Sequence, residues 1–310
     1  MRGALISQVG TAPAFANLED PAPGDGDILV RIVCSPLNPI DLAVAAGRNP
    51  AGHPPLPYVP GCEGIGTVDG RLVWVYRGGV GIARNGCMAE LVAAPPEAIV
   101  PVPDGADPVL AGAMGIAGMA GWASLSTRVP VREDDVVLVL GATGTVGTVA
   151  VQAARLLGAR KVVAAGRSRE LLYGLDADAK VVLEGDDLAG AFREACDGGP
   201  TLVFDPLWGE PGAAAVEAAA WGARVVQLGQ SAGATAPLTS AAIRFKNIEL
   251  YGYSNFNLPK DVMDREYARL VDHAVHGRIQ VEVEQMPLED VAHAWERQAA
   301  GPQRKLVLVP

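Results

Sequence analysis

The chain has 310 residues, with 35 acidic side chains against 25 basic ones and a formal net charge of −10. That balance excludes a nucleic-acid backbone as the main partner, because no cationic surplus exists to neutralise phosphates. Hydrophobic residues make up 49% but aromatics only 5%, so a core must be built from Ala, Val, Leu and Ile, in a chain long enough for two domains.

The first residues, MRGALISQVG, hold no long apolar run and do not read as a signal peptide. Up to about residue 107 the chain is rich in Pro and Gly, with short β-like runs: ILVRIV (28–33), LVWVY (72–76) and AELVAA (89–94). Short strands between such punctuation predict a small, barrel-like β domain. From residue 108 the texture changes. VVLVL (136–140), KVVAA (161–165), KVVL (180–183), TLVFD (201–205), ARVVQLG (223–229) and NIELYG (247–252) are separated by helix-length segments. Near-continuous Val-rich runs alternating with helices predict a parallel sheet covered on both faces. After about residue 253 the alternation ends. A helix (260–276), the alternating QVEVEQM (280–286), a second helix (288–300) and KLVLVP predict a return to the first domain. The expected division is therefore 1–107 with 253–310, and 108–252. No stretch of about 18 uncharged apolar residues reads as a membrane span. Cys34, Cys62, Cys87 and Cys196 are scattered and read as buried thiols of a reducing, cytoplasmic compartment.

The segment VVLVLGATGTVGTVAVQAARLLGA carries the chemistry. A buried strand runs into Gly141, Ala142, Gly144 and Gly147, and a helix follows: the dinucleotide fingerprint with its first Gly replaced by Ala. Gly144 lets the backbone approach a pyrophosphate, and Gly147 allows close helix–strand packing. The amides of Thr145, Val146 and Gly147 then face the anion, and Thr143 and Thr145 add hydroxyls. At the end of the second strand an NAD site places an acid to hold the ribose. Here the chain reads Ala165, Gly166, Arg167, Ser168, Arg169. Guanidinium and hydroxyl donors in place of a carboxylate predict a 2′-phosphate, hence NADPH.

With these motifs in place, the chain resembles the medium-chain dehydrogenase/reductase superfamily, and within it the zinc-independent quinone oxidoreductase (zeta-crystallin-like) branch. NPID followed by Gly47, PGCEGIGTV, GMAGWASL, GATGTVG, VFD and the terminal KLVLVP carry the resemblance over nearly the full length. It implies an α/β fold in which a Rossmann doubly wound parallel sheet is inserted into a GroES-like, mostly β barrel domain. It further implies a homodimer in which NIELYGYS, an uncapped apolar edge, pairs with its twin. Where zinc-dependent relatives carry ligands, this chain has Asn38, Cys62 and about Ala117, which do not make a zinc site. No metal is expected.

The implied reaction is hydride transfer from NADPH to a small electrophile, a quinone or an α,β-unsaturated carbonyl. A zinc-free ketone or alcohol reductase and a non-catalytic NADPH-binding sensor are the alternatives. Asn38 is expected either near the nicotinamide ribose or substrate oxygen or as a turn-forming residue before Pro39, and Glu63 as an orienting group. Gly229, Gln230 and Tyr253 are expected around the nicotinamide amide, with Lys305 either approaching the cofactor or simply opening the last strand. The branch often carries Tyr and Arg where this chain has Ala43 and Ala45. For an enone the candidate proton donors are Tyr58, Tyr76, Tyr251, Tyr253 and His53, or solvent, and spacing singles out none.

Overall fold

A computed structural model describes all 310 residues. It divides into two compact units, Met1–Ala117 with Pro259–Gly277 and Val281–Pro310, and Gly118–Leu258 with Arg278–Gln280. These limits lie beyond the composition shifts at 107 and 252. The reason for the first is visible: the helix Pro108–Ala113 packs on the strands Ile28–Pro36 and Glu63–Val68 of the first unit. Asp107 caps it, accepting from the amides of Val109 and Leu110.

The first unit holds a seven-stranded sheet. Its path runs Val283–Pro287, Lys305–Val309, Ile28–Pro36, Glu63–Val68, Arg71–Tyr76 and Ile99–Pro101, with Leu91–Ala94 also paired to Ile28–Pro36. All pairings are antiparallel except that of Val283–Pro287 with Lys305–Val309. The register of Ile28–Pro36 slips between Ile32 and Cys34. Such a bulge re-aims the residues after it, and the hydroxyl of Ser35 donates to the Glu63 carbonyl at 2.9 Å. Two short strands near the N-terminus, Arg2–Leu5 and Ala14–Asn17, and the helix Pro39–Ala45 were not foreseen. Each is too short to show a period in the sequence.

The second unit is a six-stranded parallel sheet in the order 179–182, 161–166, 136–139, 202–205, 224–227, 249–252. The path steps outward to one side and then to the other of Val136–Val139, the doubly wound pattern whose crevice lies at the strand ends beside that reversal. Val136–Val139 and Leu202–Asp205 are buried at every position, as the unbroken apolar runs require. Arg224 and Asp135 form a buried ion pair in this unit, 6% and 4% exposed. The Asp135 carboxylate also accepts from the Thr201 hydroxyl and the Arg132 amide.

The run Pro108–Arg128 is long and apolar enough to cross a membrane, contrary to the expectation that no segment is. Yet 72% of its apolar window is buried inside the protein, and Gly115 breaks its helical geometry with ψ −125°. A buried core segment passes the same compositional test.

Candidate functional site

Two sets of polar groups stand out, one in each unit. In the second, the strand Val136–Val139 ends in a turn that feeds the helix Thr145–Leu156. A Cβ at Gly147 would stand 2.2 Å from the Gly141 carbonyl oxygen, so only glycine lets this helix lie against the turn. Gly144 is different. It is exposed, its φ is −87°, and a Cβ there would meet nothing closer than 3.6 Å. The fold itself does not demand glycine at that position. The helix it opens has no side-chain cap, as is also true of Gly209–Ala218, Lys260–Val275 and Val291–Ala300; what sets it apart is the glycine turn that precedes it. The amides of Thr145, Val146 and Gly147 have no backbone acceptor before the helix. A bare glycine approach and uncapped amides at the positive end of a helix are what an anionic diphosphate needs. The residues present therefore fit the phosphates of a dinucleotide.

The second strand, Lys161–Gly166, delivers Gly166 beside Thr143: a Cβ on Gly166 would press on the Thr143 methyl at 2.9 Å. Arg167 follows, exposed and without a hydrogen bond or ion pair. Ser168 caps the short helix Arg169–Gly174 by accepting from the Leu171 amide at 3.4 Å, which leaves its own proton to donate. Arg169 is directed elsewhere, pairing with Glu184 at 3.4 Å. Of the two arginines in the sequence motif, only Arg167 is thus left for a phosphate.

Gly229 is fixed by contact, since a Cβ would lie 2.4 Å from the Pro206 carbonyl oxygen. Its own carbonyl accepts from Gln227. Gln230 is exposed. Tyr253 donates its amide to the Gln227 carbonyl at 2.9 Å and its hydroxyl to Asn255 at 2.7 Å. The backbone amide of Tyr253 is therefore not available to a ligand. Sequence reasoning passed over Asp205 as a functional group. It ends its strand fully buried, and one carboxylate oxygen accepts from the amides of Leu207 and Trp208. Burial pushes this carboxyl up. The signal was a lone acid closing an otherwise apolar strand.

In the first unit the structure joins Asn38, Glu63 and Lys305. Asn38, 1% exposed, precedes Pro39–Ala45. Its amide group donates to Glu63 Oε1 at 2.7 Å and to the Pro36 carbonyl at 3.2 Å, and its Oδ1 accepts from Lys305 Nζ at 2.5 Å. Glu63 Oε2 accepts from Trp74 Nε1 at 2.8 Å and from the Ile116 amide at 2.7 Å. Lys305 Nζ also donates to the Leu37 carbonyl at 3.0 Å and stands 4.0 Å from Glu63 Oε1. Asp41, i+3 from Asn38, accepts from the amides of Asn38 and Cys62.

Two expectations change here. The sequence places Asn38 at the nicotinamide ribose or substrate oxygen, but both its donors and its acceptor are already engaged, so it is a bracket for Glu63 and Lys305. It places Lys305 against the cofactor, but the ammonium is 4% exposed and held inside this network. Glu63 occupies an orienting position. Burial pushes the Glu63 and Asp41 carboxyls up and the Lys305 ammonium down, while their hydrogen bonds and mutual attraction pull each back. Every partner of Glu63 is a donor, so the geometry fits the carboxylate form. A Cβ on Gly115 would stand 2.0 Å from Glu63 Oε2. The non-helical geometry of Gly115 is therefore what brings the Ile116 amide to Glu63. No three His, Cys, Asp or Glu side chains converge in a metal-binding arrangement.

Comparison with known proteins agrees with this geometry. Residues 24–104 match the family described as "Alcohol dehydrogenase GroES-like domain", and residues 145–273 match "Zinc-binding dehydrogenase". A mycocerosic acid synthase-like polyketide synthase of Mycolicibacterium smegmatis is 31% identical over 228 residues, 70% of this chain and 11% of that protein. A phenolphthiocerol/phthiocerol polyketide synthase of Mycobacterium tuberculosis is 29% identical over 300 residues, 90% of this chain and 13% of that one. The chain thus spans only about an eighth or less of these curated relatives. A quinone oxidoreductase from Thermus thermophilus, solved alone and with NADPH, superimposes with a TM-score of 0.81 at 25% identity, covering 100% of both chains. The chain belongs to the medium-chain dehydrogenase/reductase superfamily.

Proposed function

We infer that this protein is an NADPH-dependent reductase that reduces a quinone or an α,β-unsaturated carbonyl without zinc. The observation that carries the reading is the uncapped helix start behind Gly144, with Arg167 unpaired just past the second strand. Thr143, Gly144, Thr145, Val146 and Gly147 would hold the diphosphate, and Gly166, Arg167 and Ser168 the ribose with its 2′-phosphate. Gly229, Gln230 and Tyr253 would face the nicotinamide half. When bound, the reduced nicotinamide supplies a hydride.

The donor chemistry of the first unit supports a zinc-free reaction. Asn38 is spent on Glu63 and Lys305, and the Asp41 oxygens on backbone amides. Without a Lewis acid, acceptors that delocalise charge onto a conjugated oxygen are favoured over simple alcohols and ketones. The relatives are consistent with such acceptors, quinone oxidoreductases among the solved structures and polyketide synthases among the sequences.

Arg167→Ala should weaken NADPH by about 10- to 100-fold, the worth of charge-assisted hydrogen bonds, and leave NADH within about twofold. Calorimetric titration with both nucleotides measures this, and equal weakening of the two would remove the phosphate role. Purified protein with NADPH should also consume it in the presence of 1,2-naphthoquinone or an enone panel.

The cytoplasmic, homodimeric state belongs to the same reading. Glu249–Gly252 is an edge strand with Leu250 47% exposed, and Trp221 and Phe245 of this unit are 76% and 71% exposed. The Trp221 turn is tied to that rim by the Gly222 amide, which donates to the Lys246 carbonyl. An unpaired edge with so much apolar surface suits a second copy. Light scattering behind size exclusion should give twice the mass of 32.0 kDa, and a monomer at every concentration would remove the claim.

A further inference from the structure

Asp205 is the one acid buried in the second unit without a cation, since Asp135, the other, is paired with Arg224. Asp205 is 0% exposed, and its Oδ2 is the only buried side-chain atom of this unit with no hydrogen-bond partner. A carboxyl so placed opposes folding and calls for a reason. Its other oxygen, Oδ1, accepts from the amides of Leu207 and Trp208, both at 2.8 Å. These bonds close a turn in which Trp208 sits at φ 55°, ψ −149°. That backbone suits glycine and strains any side chain, and it persists only where its surroundings hold it.

The turn stands on the C-terminal edge of the parallel sheet and meets both neighbours there. On one side, a Cβ at Gly141, where the glycine turn begins, would lie 3.0 Å from Leu207 and 3.3 Å from the Pro206 ring. On the other, it is laced to the loop that follows Arg224–Gln227. The Ala232 amide donates to the Leu207 carbonyl at 2.8 Å, and the Ser231 hydroxyl to the Pro206 carbonyl at 3.3 Å. Trp208 forms a β-bridge with Gly233, and a Cβ at Gly209 would stand 2.8 Å from the Ala232 carbonyl oxygen. Gly229 and Gln230 lie inside this lacing. The sheet order fixes which part of a dinucleotide they meet. Lys161–Gly166, with Arg167 just past its end, lies on one side of Val136–Val139, and Leu202–Asp205 and Arg224–Gln227 lie on the other. A nucleotide whose diphosphate crosses the glycine turn and whose 2′-phosphate reaches Arg167 lays its other half over the turn after Asp205.

We propose that Asp205 is a positioning residue for the nicotinamide half of the nucleotide: its carboxyl holds Leu207 and Trp208 in the strained turn, and the turn holds Gly229 and Gln230 where that half docks. The assignment rests on the reductase reading above. The carboxyl itself touches no ligand. It keeps this wall formed before the nucleotide arrives, so that binding does not have to re-form it.

The test is Asp205→Ala against two nucleotides. Calorimetric affinity for NADPH should fall about tenfold or more, while that for adenosine 2′,5′-bisphosphate, which lacks the nicotinamide half, should stay within about twofold. Asp205→Asn keeps an acceptor for both amides and should hold NADPH within about threefold of the parent. Trp208→Gly takes the same turn without strain, so in that background Asp205→Ala should change NADPH affinity by less than about threefold. Equal weakening of the two nucleotides, or an Asp205→Asn loss as large as that of Asp205→Ala, would overturn the assignment in favour of a packing role. An undiminished loss in the Trp208→Gly background would do the same. Should Asp205→Ala not fold, hydrogen exchange in the parent decides. At equal occupancy NADPH should slow exchange of the amides of residues 229–233 at least about tenfold more than adenosine 2′,5′-bisphosphate does, and equal slowing overturns the assignment. Failure of the parent to bind either nucleotide removes the reductase reading and this proposal together, whereas unchanged NADPH affinity in Asp205→Ala removes the proposal alone.

Discussion

Lys305→Met should destabilise the first unit by about 3–5 kcal/mol, because it strips the only cation from two buried carboxylates. Lys305 is 4% exposed, Glu63 0% and Asp41 2%. Nothing else near them carries positive charge into that interior: the remaining partners of Glu63 are the neutral donors of Asn38, Trp74 and Ile116. Methionine retains the length of the stem, so the loss reports charge and not a cavity. Denaturant titration measures it. Adding Glu63→Gln to Lys305→Met should recover about 1–2 kcal/mol, since the worst uncompensated charge is then gone. A single substitution costing under about 1 kcal/mol would mean that the carboxylates are neutral in the native state and that the network is held by hydrogen bonds alone.

The counterpart in the second unit is Arg224→Met, which should also cost about 3–5 kcal/mol. Arg224 donates to the Pro130 carbonyl at 2.8 Å and to Asp135 at 2.5 Å. Without it, Asp135 keeps the Thr201 hydroxyl and the Arg132 amide but no counter-charge. The two variants are told apart by ligand. NADPH at about 100 times its Kd adds about 2.7 kcal/mol to whatever unit binds it. It should therefore offset much of the Arg224→Met loss. If the units unfold separately, it should leave the Lys305→Met transition where it was, and two resolved transitions would then appear in calorimetry. Rescue of both variants by NADPH would show instead a single cooperative transition.

The parallel sheet was legible in the sequence because each of its strands is an apolar run with its own helix-length partner. Val136–Val139 and Leu202–Asp205 are buried on both faces, and a run without alternation is what that environment selects. The glycine turn was legible for a similar reason: strand, turn and helix are contiguous, so spacing alone carries the geometry. Arg167 and Arg169 looked equivalent, and only the exposed pair between Arg169 and Glu184 separates them. Asn38 misled because its partners are remote. Glu63 lies 25 residues away and Lys305 lies 267 away. No local pattern announces that three residues so spaced will saturate one another, so the amide of Asn38 looked free for a ligand.

The last strand has a consequence for the order of assembly. Lys305–Val309 lies inside the first unit's sheet, between Val283–Pro287 and Ile28–Pro36, and brings the ammonium that offsets Glu63 and Asp41. During synthesis the strands from Val136 to Gly252 emerge in one stretch and can close their sheet while later residues are still being added. The N-terminal strands, although made first, wait with two acids lacking their cation until residue 305 leaves the ribosome. A nascent chain stalled short of that point should carry a protease-resistant nucleotide half joined to a cleavable amino-terminal half.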